Sequence, residues 1–190
     1  MTRLPESRTP AFLCLLATLA CPCAGADSGL AAPSSVFAQL GGNRDAGTAT
    51  GGVTWDWALS HETRWGRVAG YWEAAFGRWR AERANGADAA WVLQLGVTPV
   101  LRLEPQGGEG RWFVEGGIGL NYLNPLYQEG DRQRFTTRLN FGSHLAVGRR
   151  FGAVPAHHEV ALRLQHFSNA GIRHPNPGAN FVQLRYSYRF

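Results

Sequence analysis

From about residue 34 to the last residue, large apolar side chains recur at every second position over long stretches. A period of two puts successive side chains on opposite faces of a β-strand and is incompatible with a helical stripe. In Trp91-Val92-Leu93-Gln94-Leu95-Gly96-Val97 the odd positions are all large and apolar. From Trp112 to Tyr122 one face carries Trp112, Val114, Ile118, Leu120 and Tyr122, and the other Phe113, Glu115, Gly117, Gly119 and Asn121. Around Leu139 the apolar face is Leu139, Phe141, Leu145 and Val147. Toward the end, Val182, Leu184, Tyr186, Tyr188 and Phe190 oppose Gln183, Arg185, Ser187 and Arg189. Eight such segments lie near residues 34–41, 51–58, 68–79, 90–102, 111–122, 137–150, 158–168 and 180–190, with Gly-, Asn-, Pro-, Asp- and Arg-rich connections between them. The chain is all-β.

A soluble sandwich alternates too. Three features favour a membrane-spanning barrel. The apolar face is aromatic at the strand ends, where an interfacial girdle belongs. The opposite face repeatedly carries charge (Asp56, Glu73, Glu115, Arg138, Arg163, Arg185), costly in lipid but able to pair inside a closed lumen. The sequence ends on the apolar face of its last strand, at Phe190, as outer-membrane barrels do. The expected fold is an eight-stranded antiparallel transmembrane β-barrel. Its interior is wide enough only to be filled by side chains, so it is not a pore. With both chain ends at the periplasm, the connections near 42–50, 81–89, 123–136 and 169–179 face outward.

Residues 1–26 read as a secretory signal peptide. Arg3 and Arg8 precede the apolar run Ala11–Cys21, and Ala24-Gly25-Ala26 offers a small-residue cleavage site. The run is too short to span a bilayer. Residues 27–190 then form the barrel, and Cys14, Cys21 and Cys23 leave with the leader. No disulfide, thiol nucleophile or cysteine metal site remains. All 19 basic residues are arginines, and the formal net charge is +5. Guanidinium groups bind phosphate bidentately, and in an envelope barrel the acidic partner is anionic lipid, with no role for nucleic acid. Arg132, Arg134 and Arg173 lie in outward connections, where lipid phosphates or plain solvent would meet them. No histidine pair has convincing metal spacing, so neither metal nor cofactor is expected.

The seventh segment, His158 to Ser168, breaks the barrel rule. Val160, Leu162 and Leu164 set the lipid face, and the same parity carries on to His166 and Ser168. On the eighth segment the outward face begins at Asn180. A hairpin over 169–179 can bring Asn180 beside Ser168, diagonal to His166. Rim residues at headgroup level cost little and explain such polarity without any chemistry. The sharper reading is a serine hydrolase, because a serine hydroxyl needs an adjacent imidazole to take its proton and a third group to orient that imidazole.

His166-Phe167-Ser168-Asn169-Ala170-Gly171, followed by Pro175-Asn176-Pro177-Gly178, resembles the signature of the lipid A 3-O-deacylase (PagL) family. The leader, the eight-strand length and the final Phe190 agree with that family. The resemblance implies Ser168 as nucleophile, His166 as general base and Asn176 as a donor to the oxyanion hole. The family's acid, a glutamate in its best-known pattern, falls on Asn180 here. Either Asn180 orients His166, or a carboxylate from an outward connection, Glu129 or Asp131, takes that role. The substrate implied is lipopolysaccharide lipid A in the outer leaflet, with outer-membrane lipid as surroundings and a homodimer left open. A non-catalytic barrel, adhesive or structural, is the competing reading. A phospholipid:lipid A acyltransferase is a third, but that chemistry usually draws an acyl chain into the lumen, and this lumen is charged.

Overall fold

The computed structural model describes residues 32–81, 89–107, 111–126, 128–129, 132–153 and 156–190, with only the backbone at 128–129 and 132–133. Among them ten strands form: β1 Ser35–Gly42, β2 Ala46–Thr63, β3 Gly66–Ala81, β4 Ala90–Pro105, β5 Trp112–Asn124, β6 Gln128–Glu129, β7 Arg132–Gln133, β8 Leu139–Phe151, β9 His158–Ser168 and β10 Ala179–Arg189. Every pairing is antiparallel. β6 and β7 make a two-residue hairpin of their own. The other eight close into a barrel, sealed where β1 runs against β10 from Ser35↔Arg189 to Gly42↔Val182. No barrel edge is left unpaired, the condition for strands to cross lipid. Leader residues 1–26 lie outside the described residues.

The eight expected segments are all present, and the boundaries that move furthest are the two ends of the second. The connection expected over 42–50 is a turn at residues 43–45, in which Asn43 Oδ1 accepts the N–H groups of Asp45 (2.9 Å) and Ala46 (2.8 Å). β2 continues to Thr63, well beyond the alternation that stops near residue 58. The pairing with β3 steps from Asp56↔Tyr71 to Ser60↔Ala69, so two extra residues bulge from β2. The bulge turns the Trp57 indole inward over Gly70, where a Cβ would lie 2.1 Å from the ring. It thereby breaks the period that sequence reading depends on.

Burial is inverted. Leu95, Val97, Leu101, Leu120, Leu145, Leu162, Leu164, Val182 and Leu184 are exposed on the outer wall, while Glu73, Arg102, Glu115, Glu159, Arg163 and Arg185 are buried in the lumen. Only a hydrocarbon surrounding makes this arrangement favourable. Of the charges expected inside, Glu73, Glu115, Arg163 and Arg185 are there. Asp56 instead lies at the rim of the end where β1 begins and β10 finishes, paired with Arg189. Arg138 precedes β8 and is exposed, because the strand begins two residues later than the expected segment.

The lumen is filled in two layers. Its middle holds an ion-pair network. Arg163 bonds Glu73 at 3.1 and 3.0 Å and reaches Glu115 at 3.4 Å. Arg102 bridges Glu115 (2.8 Å) and Glu159 (2.8 Å), Arg185 bonds Glu73, and the Tyr71 hydroxyl donates to Glu115 at 2.9 Å. Toward the loop end lies an apolar plug of Trp79, Val92, Leu123, Phe135, Phe167 and Phe181, with Trp79 4.9 Å from both the Phe167 and Phe181 ring centres. Plug and ion pairs together leave the lumen to side chains.

Removing one member of a buried ion network strands its partners, typically at a cost of about 3–5 kcal/mol. Arg163→Ala should therefore lower the temperature at which the barrel loses its heat-modifiable fast-migrating form on gels, since Glu73 and Glu115 both lose a guanidinium.

Candidate active site

The strand period sets what faces lipid near the loop end of β9 and β10. Glu159, Ala161, Arg163, Gln165 and Phe167 point inward and are buried, whereas Val160, Leu162, Leu164 and His166 point outward and are exposed. Ser168 shares that outward parity and is half-buried. On β10, Phe181, Gln183 and Arg185 are inside, and Asn180, Val182 and Leu184 outside. The expected outward cluster of His166, Ser168 and Asn180 is therefore present.

Its register differs from the expectation. Asn180 pairs directly with His166, not with Ser168. β10 begins at Ala179 opposite Phe167, so the connection takes up residues 169–178 and Gly178 comes level with Ser168. Direct opposition brings His166 Nδ1 to 2.6 Å from Asn180 Oδ1. An amide oxygen can only accept, so Nδ1 carries the proton and Nε2 is left with a lone pair. That is the form in which an imidazole accepts a proton from a neighbouring hydroxyl. Ser168 follows two residues along the same face, its Cα about 6.5 Å from that of His166.

Two features hold the backbone around His166. Phe167 and Phe181, the inward neighbours of His166 and Asn180, are anchored in the aromatic plug, their ring centres 5.9 Å apart. Gly178 closes the other side. A Cβ there would stand 2.9 Å from His166 Cε1, 3.4 Å from Nε2 and 2.8 Å from the Phe167 carbonyl oxygen, and the backbone has φ +69°. Close approach and the left-handed conformation both require glycine.

Asn176 is half-buried in the connection after β9, and its Oδ1 accepts the Asn169 N–H at 3.0 Å. Its Nδ2 is thereby left as the donor end of the amide. The Gly171 N–H is given to Asn169 Oδ1 at 3.0 Å. The side chain of Glu129 and the whole of Asp131 lie outside the described residues, as does the side chain of Arg132. Arg173 and His174 are exposed in the connection. His144 is buried in the lumen, away from this wall. His157 and His158 sit at the opposite end, bonding the Arg189 carbonyl and the Tyr186 hydroxyl. Among the described residues no three His, Cys, Asp or Glu side chains are grouped to hold a metal.

Sequence reasoning passed over two groups. Ser143 of β8 pairs with His166 on the side away from Asn180 and is half-buried on the outer wall, so a polar row Ser143–His166–Asn180 crosses three strands. A lone serine in an apolar alternation carries no signal of this; only the β8–β9 register shows it. Asn169 is the other, fully buried just after Ser168.

The sequence pattern described as Lipid A 3-O-deacylase (PagL) matches residues 48–189. The chain belongs to the PagL family. Lipid A deacylase PagL of Pseudomonas aeruginosa is 32% identical over 169 residues, 83% of this chain and 92% of that protein. Its counterpart in Bordetella bronchiseptica is 34% identical over 134 residues, 70% of each chain. The crystal structure of the outer membrane enzyme PagL superposes with a TM-score of 0.68 at 30% identity, covering 82% of this chain and 99% of that one. The chain is thus an outer-membrane protein whose fold is the closed eight-stranded barrel described above.

A hydrogen bond of 2.6 Å to a ring N–H shifts that proton far downfield. The His166 Nδ1 proton should appear as a downfield resonance in the micelle-bound barrel and vanish in Asn180→Ala. Its persistence there would mean that another group holds Nδ1.

Proposed function

We propose that this outer-membrane barrel carries out the PagL-family reaction, hydrolysis of the 3-linked hydroxyacyl ester of lipid A, with Ser168 as nucleophile and His166 as general base. The observation that carries the reading is the 2.6 Å contact of His166 Nδ1 with Asn180 Oδ1 on the lipid-facing wall, beside a serine of the same face. His166 Nε2 takes the Ser168 proton as Oγ attacks the ester carbonyl. The oxyanion that forms meets Asn176 Nδ2, the donor left free when Asn169 N–H occupies Oδ1. Collapse expels the sugar 3-hydroxyl, which takes its proton back from His166. The acyl-enzyme is then opened by water through the same base, releasing the 3-hydroxy fatty acid. The outward parity lets the acyl chain lie along Leu162, Leu164 and Val182 without entering the filled lumen. That favours hydrolysis in the outer leaflet over an acyltransferase that draws a chain inside. Family membership does not favour the non-catalytic reading. Residues 1–26 we propose as the export signal, cleaved after Ala26.

Two outward hydroxyls flank the imidazole, on Ser168 and Ser143, and they can be told apart. Mass spectrometry of lipid A from cells expressing each variant should show loss of one hydroxyacyl group with wild type and with Ser143→Ala. It should show none with Ser168→Ala or His166→Ala, all four barrels remaining heat-modifiable. Wild-type deacylation by Ser168→Ala would sink the mechanism.

Asn180 orients the ring but cannot neutralise the imidazolium that forms on proton transfer. Asn180→Ala should lower the rate without abolishing it, since nucleophile and base survive. Asn180→Glu should raise it, because a carboxylate stabilises that charge. If Glu129 or Asp131 supplies the charge instead, Asn180→Glu gains nothing and one of the loop-acid alanine variants is nearly inactive. Initial rates on purified lipid A at matched amounts of folded barrel decide between the two.

A further inference from the structure

Asn169 follows the serine directly and is fully buried, yet it lies in a connection. Its side chain uses both ends of its amide. Oδ1 accepts the Gly171 N–H at 3.0 Å, while Nδ2 donates to the Arg173 carbonyl at 2.7 Å and to Thr136 Oγ1 at 3.1 Å. Its backbone carbonyl accepts the Ile172 N–H at 3.1 Å, and its backbone N–H caps Asn176 Oδ1. Thr136 belongs to the segment between β7 and β8. Its hydroxyl proton is shared between the carbonyls of Arg173 (3.0 Å) and Pro175 (3.3 Å), on the approach to Asn176. The preceding residue, Phe135, is fully buried with its ring centre 6.2 Å from that of Trp79 in the plug. A continuous set of contacts thus runs from the barrel interior through Phe135, Thr136 and Asn169 to Asn176. Next to Asn169, Ala170 has φ +54°, a left-handed conformation that a side chain adopts only when its surroundings fix it.

We infer that Asn169 and Thr136 are positioning residues for the deacylation reaction: together they clasp the β9–β10 connection so that the Asn176 amide presents Nδ2, and not Oδ1, toward Ser168. The inference rests on the oxyanion role proposed for Asn176. An amide group is nearly symmetric in shape, so packing alone does not decide which end faces the reacting carbonyl. The Asn169 N–H decides it, because it can bond only to the oxygen. Spending that N–H on Asn176 also removes the backbone donor next to the nucleophile, which makes the Asn176 amide the donor on which the oxyanion depends. Thr136 sets the height of Asn176 by tethering Arg173 and Pro175 on its N-terminal side. Both residues act on the reaction only through Asn176.

The test is a double-mutant cycle on purified barrel in detergent micelles with lipid A as substrate, measuring kcat and KM. Thr136→Val keeps the shape and removes the hydroxyl. A displaced catalytic group typically costs about 10²-fold, so kcat should fall by about 10- to 100-fold with KM little changed. Thr136→Ser should restore most of the loss, and Asn169→Asp, which keeps the acceptor for Gly171 but loses both Nδ2 donations, should resemble Thr136→Val. In an Asn176→Ala background Thr136→Val should cost less than about two-fold more, since residues acting through one group are not additive. Wild-type kcat in Thr136→Val, or the same fold loss with and without Asn176, overturns the clasp; in the second case the loss in Asn176→Ala itself keeps the oxyanion reading intact. Wild-type kcat in Asn176→Ala overturns both.

Discussion

Closure of β1 on β10 is the constraint from which the rest follows. In hydrocarbon an unpaired backbone N–H or C=O costs several kcal/mol, so the sheet has to meet itself. Once it does, each strand has one face toward lipid and one toward a lumen occupied largely by side chains. Side-chain direction is then set by residue parity alone. His166 lies four positions after Leu162, so a histidine that continues the lipid face is held on the wall by the same geometry that holds the leucines. The site needs no pocket in the ordinary sense, because the bilayer supplies the apolar side of it. A substrate that is itself a lipid reaches the site by lateral movement in the leaflet.

The lumen supports this in two different ways. The ion-pair layer around Glu73, Glu115, Arg102 and Arg163 is costly to assemble and gains little net stability, but it tolerates few alternative arrangements. The aromatic plug nearer the loop end is close-packed and bears directly on chemistry. Phe167 lies between His166 and Ser168 in sequence, and Phe181 follows Asn180. Locking the two phenylalanines against Trp79 therefore locks the backbone from which the three outward side chains spring. Phe135 extends the same support to the segment that carries Thr136. Precision at the surface of the barrel is inherited from packing inside it.

The period-two pattern made the fold legible, because alternation reports faces whatever the neighbouring strand does. It also reported the outward parity of His166, Ser168 and Asn180. What it could not report is anything that depends on register. Asn180 stands opposite His166 because β10 starts at Ala179, and a ten-residue connection gives no sign of where pairing resumes. The β2 bulge interrupts the pattern after Asp56 because within it Trp57 turns inward over Gly70, against its parity. The resemblance of the His166–Gly178 segment to the PagL signature supplied roles that alternation alone left open. Ser143, Asn169 and Thr136 stayed invisible because each matters through a partner far away in sequence, and none carries a pattern of its own.

Asn180 marks where this chain departs from the family's glutamate, and its setting bears on what the departure costs. It is exposed on the outer wall, one step from Val182 and opposite an equally exposed imidazole. A carboxylate there would be a fixed negative charge at the rim of a leaflet crowded with lipid phosphates, repelled by the substrate's own headgroup. An amide avoids that repulsion and still holds Nδ1–H by Oδ1. It gives up the part of transition-state stabilisation that a negative charge provides once His166 is protonated. In the mechanism proposed above Asn180 itself contributes orientation and no charge: the Nδ1–Oδ1 contact holds the imidazole, and compensation of the imidazolium is left to a group other than Asn180.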